Sequence, residues 1–233
     1  MSDFEHLTCT ILLDDAQSSS DKPSSRLYQS PLKTIQASKA DELEAALEEI
    51  EQAIHDQQYV VTCLSYELGE YLVGLKPKKS ETPWVQAWVF KDVEKLSKEQ
   101  VSQWLMARHI QAVGQAVNQI TNKPAITNIS NSITQKRFEE DISKIQEWIK
   151  AGDTYQVNHT YRIAGKLSGS PLAAYEILRQ KQPGPYGAYI DHPNGWVLSC
   201  SPEWFLQKTS DTLMTKPMKG TAKVGESSSE ELH

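Results

Sequence analysis

Apolar residues recur at helical spacing in some stretches of this chain and alternate or run together in others, which predicts helices and strands in mixed succession. Behind Asp41, the stripe Leu43, Ala46, Leu47, Ile50, Ala53 and Ile54 predicts a one-faced surface helix ending near residue 57, with Asp41 as its N-cap. Glu42, Glu44, Glu48, Glu49 and Glu51 form its solvated face. A second stripe, Phe138, Ile142, Ile145, Trp148 and Ile149, opens at Thr134 and stops at Gly152. Ser170-Pro171 opens a third helix, with Leu172, Tyr175 and Leu178 inward, that fades at Gln182. Residues 97–104 read as a short helix.

Strand patterns fill the intervals. Residues 7–13 and 26–38 are β-type, the latter broken by Pro31, and residues 59–65 form a continuous apolar run typical of a buried strand. Residues 84–90 alternate, offering Trp84 and Ala87 or Trp88 to a core, and 125–129 form a short strand in an otherwise polar stretch. Residues 14–25 are rich in Ser and Asp, have little to bury, and are expected to be a mobile loop. Residues 186–190 and 196–200 flank Asp191-His-Pro-Asn-Gly195 as a hairpin. In residues 153–162, Tyr155, Val157, His159 and Tyr161 share one strand face, and Gln156, Asn158 and Thr160 the other. A buried polar face needs hydrogen-bond partners, which either neighbouring backbone or a ligand rich in carboxylates and hydroxyls would supply.

This succession lacks strand–helix–strand alternation, so the expected fold class is α+β, with mostly antiparallel sheets and helices packed on them. The expected division is a β-rich subdomain over 1–110, a crossing segment over 111–133 and a further domain over 134–233. Composition narrows the function. A net charge of −6, with 39% hydrophobic and 23% charged residues, gives no electrostatic footprint for nucleic acid. Cys9, Cys63 and Cys200 share no close spacing and read as free thiols of a reducing compartment. His159 has no second ligand at metal spacing. With no leader pattern and no apolar segment of membrane length, the expected location is the cytoplasm.

The chemistry concentrates in residues 199–221. Ser201-Pro-Glu203-Trp-Phe and Thr215-Lys-Pro-Met-Lys219-Gly-Thr221 flank a polar turn, and Glu203 and Lys219 lie equally far from Asp211. With Asp211 as apex they oppose each other, at about 4.5 to 5.5 Å between Cβ atoms. The same register pairs Phe205 with Pro217, Gln207 with Thr215 and Trp204 with Met218. Both faces are then partly apolar, which predicts a covered hairpin and desolvated Glu203 and Lys219. Taken alone, a Lys before Gly is more often a solvated turn residue, and a Glu after Pro a helix N-terminal residue.

Together with Gly152-Asp-Thr-Tyr-Gln-Val-Asn158, these motifs resemble the chorismate-binding enzymes, and within them the branch that aminates chorismate at C4. Lys219 discriminates, because anthranilate and isochorismate synthases typically carry Ala there. The resemblance implies a chorismate-binding α/β sandwich, of which 134–233 is a first, incomplete part. It implies Lys219 as covalent nucleophile, Glu203 as general acid/base, and Gly220, Thr221, Gln156 and Asn158 as substrate contacts. It further implies a glutamine amidotransferase partner supplying ammonia, and Mg2+ held by ligands outside this chain. Ser65-Tyr66-Glu67 resembles a family motif near which some relatives hold tryptophan; taken alone, Tyr66 and Glu67 read as structural.

The match has departures. Lys216 stands where Arg is usual, Ala222-Lys223-Val224 replaces a run with Arg, and the resemblance covers about half of the family's length. Two alternatives therefore stand beside C4 amination: a short non-catalytic relative that binds a metabolite or partner, and an anthranilate synthase component.

Overall fold

Contacts within the chain divide it into two units, residues 1–104 with 178–233, and residues 105–177. The computed structural model describes residues 9–115 and 123–217 of the sequence. The first unit begins with β1 (Thr10–Asp14), β2 (Ser25–Gln29), β3 (Lys33–Ala37), α1 (Ala40–His55), β4 (Tyr59–Leu64), α2 (Tyr66–Leu72), β5 (Val85–Phe90) and β6 (Glu94–Leu96). Helix α3 (Lys98–Gln115) leads into the second unit, which holds β7 (Ala125–Asn131), α4 (Gln135–Ala151) and β8 (Ile163–Ser168). Helix α5 (Pro171–Lys181) returns the chain to β9 (Tyr186–His192), β10 (Gly195–Ser201), β11 (Gln207–Thr209) and β12 (Thr212–Met214). Strands and helices do follow one another along much of the chain, but every ladder among the described residues is antiparallel, which makes the fold α+β, the expected class.

The first unit contains a five-stranded sheet, β10-β9-β1-β2-β6, and a three-stranded one, β3-β5-β4, antiparallel throughout. The break around Pro31 sends β2 and β3 to different sheets, helped by a left-handed Ser30 at φ 54°. Strand β5 lies in the middle of the smaller sheet, and both of its faces are covered, where the alternation expected over residues 84–90 implies one buried face. Val85, Ala87 and Val89 pack in one cluster with Ile35, Leu43, Ala46 and Ala53, so one face meets α1. Trp88 and Phe90 pack in another with Ile11, Tyr28, Val61 and Ile190, so the other face meets the larger sheet. A strand covered on both sides has no polar face to alternate with. Strand β4 is an edge strand instead of a buried one; of its apolar run only Val61 is buried, while Tyr59 is 44% and Leu64 64% exposed.

Several local expectations are corrected. The Ser-rich loop after β1 is held in place: Ser18 is buried, its hydroxyl donates to the Leu96 carbonyl at 2.7 Å and accepts from the Ser24 amide at 2.8 Å. Ser hydroxyls supply the partners that irregular backbone lacks. The N-cap of α1 is Lys39, with Asp41 in the first turn, and the Glu42 carboxylate reaches back to the Ser38 amide at 2.8 Å. Helix α3 runs well past residue 104; Ser97 and Gln100 cap its start reciprocally, at 2.8 and 3.3 Å. Arg179 near the end of α5 pairs with Asp14, which is 3% exposed, and also donates to the Ser102 hydroxyl and the Lys98 carbonyl.

In the second unit, Thr134 caps α4 by accepting the Arg137 amide, and Gly152 ends it in the left-handed region at φ 83°. Strands β7 and β8 pair antiparallel, with Gly165 so close to β7 that a Cβ there would stand 2.6 Å from Ile126 Cγ2. No residue of α4 is buried, and every residue of β7 and β8 is exposed.

Candidate functional site

The segment carrying the candidate acid leaves β10 at Ser201. The Ser201 hydroxyl donates to the Glu203 carbonyl at 2.9 Å and accepts the Glu203 amide at 3.3 Å, turning the chain at Pro202. Strands β11 and β12 then pair Gln207 with Met214, Lys208 with Leu213 and Thr209 with Thr212. The turn has two central residues, Ser210 (φ 51°) and Asp211, so the register is one residue away from the expected one with Asp211 as apex. A one-residue slip exchanges the faces. The hairpin is also open: every residue of β11 and β12 is exposed, as are Glu203 and Phe205, the latter at 90%. The expectation of a covered, desolvated hairpin is therefore corrected; among the described residues, no third strand pairs with this short ladder. The Trp204 indole donates to the Met214 carbonyl at 3.3 Å, Lys216 Nζ stands 5.1 Å from its ring centre, and the Thr215 hydroxyl donates to the Phe205 carbonyl at 2.7 Å. Lys219, Gly220 and Thr221 lie outside the described residues.

Gln156 and Asn158 belong to the second unit and are exposed. Residues 154–161 form no strand, so the alternation expected over 153–162 is not realised there, and ladder pairing begins only with β8. The run follows directly from the Gly152 cap, where the Asp153 amide still bonds the Trp148 carbonyl at 3.0 Å. At its far end the Ser132 amide donates to the Arg162 carbonyl at 2.8 Å, and the Arg162 amide to the Ser132 hydroxyl at 2.9 Å. Between these anchors His159 Nε2 meets Asp141 of α4 at 3.3 Å, with Phe138 edge-on to the imidazole at 5.4 Å. Burial works against ionisation of the Asp141 carboxyl, but hydrogen bonds from His159 and Arg137 outweigh it and hold the carboxyl below its ordinary range. Sequence reasoning placed His159 on a strand face and set it aside as a metal ligand, and missed this pair, since eighteen residues of separation carry no periodic signal.

Ser65 caps α2, accepting the Leu68 amide at 3.4 Å, and lines a pocket of about 530 Å³ in the first unit. Cys63, Glu81, Trp88, His192 and Trp196 also line it. Tyr66 does not join them: it is 83% exposed, and with Glu67 it forms the first turn of α2 rather than a strand end. Burial pushes the His192 imidazole below its ordinary pKa, against the opposing charge of Asp191. Its Nδ1 is buried without a hydrogen-bond partner among the described residues.

Among the described residues, no group of three or more His, Cys, Asp or Glu side chains could hold a metal ion, and no helix is long and apolar enough to cross a membrane. The residues at hand therefore offer no fit for Mg2+.

The chain is similar to aminodeoxychorismate synthase component 1 of Bacillus subtilis, 28% identical over 191 residues that make up 72% of this chain and 40% of that protein. It is also similar to anthranilate synthase component 1 of Aquifex aeolicus, 30% identical over 115 residues, or 49% of this chain and 23% of the relative. In structure it resembles anthranilate synthase component I from Streptococcus pneumoniae, with a TM-score of 0.57 at 15% identity, covering 91% of this chain and 54% of that one. The chain thus spans about half or less of the length of the proteins it matches. The chorismate binding enzyme family matches residues 8–233, so this chain belongs to the chorismate binding enzymes.

Proposed function

We propose that the protein aminates chorismate at C4 to 4-amino-4-deoxychorismate, a precursor of p-aminobenzoate in folate synthesis, with ammonia supplied by a glutamine amidotransferase subunit. The observation that carries this reading is Lys219 within Pro217-Met-Lys219-Gly-Thr221, an amine where anthranilate-forming relatives typically have Ala. In the proposed sequence the Lys219 amine attacks ring carbon C2, both ring double bonds shift round the ring, and the C4 hydroxyl leaves as water when Glu203 gives it a proton. Ammonia then attacks C4, both double bonds shift back, and the Lys219 amine is expelled from C2 as the proton lost by the new C4 ammonium replaces the one Glu203 gave up. The net change is chorismate plus ammonia to aminodeoxychorismate plus water.

Both side chains need a dry site for these roles. A lysine attacks only when neutral, and loss of solvent disfavours its cation; the same loss lets a carboxyl hold a proton near neutrality. Glu203 is exposed in the described part of the chain, so substrate and further protein surface have to exclude water from it. Gly220 lets backbone approach the substrate closely, and Thr221 brings a hydroxyl. Magnesium would balance the substrate carboxylate charge, but no step is assigned to it, because the described residues do not form its site.

The test uses the whole protein from its source with chorismate, Mg2+ and ammonium. Aminodeoxychorismate as product is expected; anthranilate would move the assignment to the other relatives, and no product would favour a binding role. Lys219→Ala is expected to abolish the covalent chorismate adduct seen by intact-mass spectrometry, and an adduct that persists would remove Lys219 from the mechanism. For Glu203→Gln the expected loss in kcat exceeds any rise in KM.

A further inference from the structure

Residues 154–161 carry Gln156 and Asn158 but have no ladder pairing to fix their path. A run of this kind has to be held by side chains or it samples many conformations. Its handle is the half-buried His159, whose side chain is 18% exposed against 23% for Asp141. Asp141 is held as a carboxylate by Arg137, at 2.9 Å to Oδ1 and 3.1 Å to Oδ2. A carboxylate only accepts, so Nε2 of His159 must carry the proton in their contact. Phe138 then fixes the imidazole plane from α4, standing edge-on to His159 and to Tyr161 at interplanar angles of 79° and 73°. Nδ1 of His159 is buried without a hydrogen-bond partner among the described residues. A buried polar atom left unpaired is unfavourable, so the ring keeps this orientation through the gain on its other nitrogen.

We infer that Asp141 and His159 are a positioning pair: the Asp141 carboxylate, itself anchored by Arg137 on α4, grips His159 and thereby sets the path of residues 154–161 that presents Gln156 and Asn158 to substrate. This inference rests on the chorismate reading for the identity of the substrate. The pair acts through the segment and touches no reacting atom.

The test has a part that needs no substrate and a part that does. Long-range 1H–15N spectra of the histidines in the whole protein are expected to show His159 protonated at Nε2, with that proton protected from exchange with water and the protection lost in Asp141→Ala. A proton on Nδ1 with Nε2 bare overturns the pair. Calorimetric titration with chorismate is expected to show about tenfold weaker binding for His159→Leu and for Asp141→Ala, the scale of one hydrogen bond to a charged group. The double variant is expected to be no weaker than either single one, because both remove the same interaction. His159→Gln, whose amide nitrogen can reach the place of Nε2, is expected to recover most of the affinity. Unchanged affinity in His159→Leu, additive losses in the double variant, or a Gln variant as weak as the Leu variant would each overturn the positioning role. A wild-type protein that binds no chorismate sinks the substrate reading, and the tautomer experiment then decides the pair by itself.

Discussion

Helices α1 and α4 carry equally regular apolar stripes, yet α1 buries Leu43, Ala46 and Ala53 while α4 buries nothing among its described residues. The contrast extends to their units. In the first, strand β5 is enclosed on both faces; in the second, β7 and β8 are exposed along their whole length, and Phe138, Trp148 and Ile149 remain 37 to 42% exposed. A stripe reports that a face gains by being covered. It does not name the cover, and the two units show the same signal with and without one.

Substitutions that probe both units can break this comparison. The largest expected effect is Trp88→Ala, at 1% exposure between the two sheets of the first unit, costing about 3 to 5 kcal/mol in a denaturant titration. Close behind, Asp14→Ala takes the counter-charge from the Arg179 guanidinium, whose side chain is 14% exposed and, among the described residues, keeps only its bonds to Ser102 and Lys98, and should cost about 3 kcal/mol. Thermal melts of both variants against the parent check these two values.

A pH titration probes the same core without mutation. Burial, with smaller contributions from Asp191 and Cys63, raises the Cys9 thiol from 9.0 to about 12. The folded form then holds a proton that the unfolded chain gives up, so this contribution to stability is fully present below pH 9 and is lost as the pH rises towards 12. The slope should approach roughly 1.4 kcal/mol per pH unit, and Cys9→Ala should flatten it.

Smaller effects belong to the second unit. Gly152→Ala places a Cβ at φ 83° in open space, so strain alone acts, at about 1 kcal/mol; Gly152→Asn should cost less. Trp148→Ala, at 41% exposure, should change stability by no more than about 1 kcal/mol. A loss for Trp148→Ala as large as that for Trp88→Ala would mean that α4 is covered in solution, and the contrast between the units would fall.

Much of the fold was legible in the sequence. The Thr134 cap and Gly152 stop bound α4, the turn between β9 and β10 falls inside 191–195, and Pro31 separates β2 from β3. The candidate chemistry was legible as motifs, with Glu203, Gln156 and Asn158 in the described chain and Lys219 beyond it. Geometry was less so. The hairpin register slipped because a two-residue turn and a single-residue apex look alike in Thr-Ser-Asp-Thr. The strand expected over 153–162 failed because alternation describes side-chain order and does not supply a pairing partner.

By itself, the sequence determined much of what is settled within one turn of chain: the Thr134 cap, the Gly152 stop, the reversal between β9 and β10 and the family motifs. Hydrogen bonds from the Ser97 amide to Gln100 or from the Arg137 amide to Thr134, and the permitted φ of Gly152, act over three or four residues and leave their mark on composition. Tertiary structure alone decided that β5 is covered twice, that β4 is an edge, that Asp14 meets Arg179 and that Asp141 grips His159. Burial and pairing depend on which distant segment arrives opposite a residue, and that partner leaves no trace in the residue's own neighbourhood.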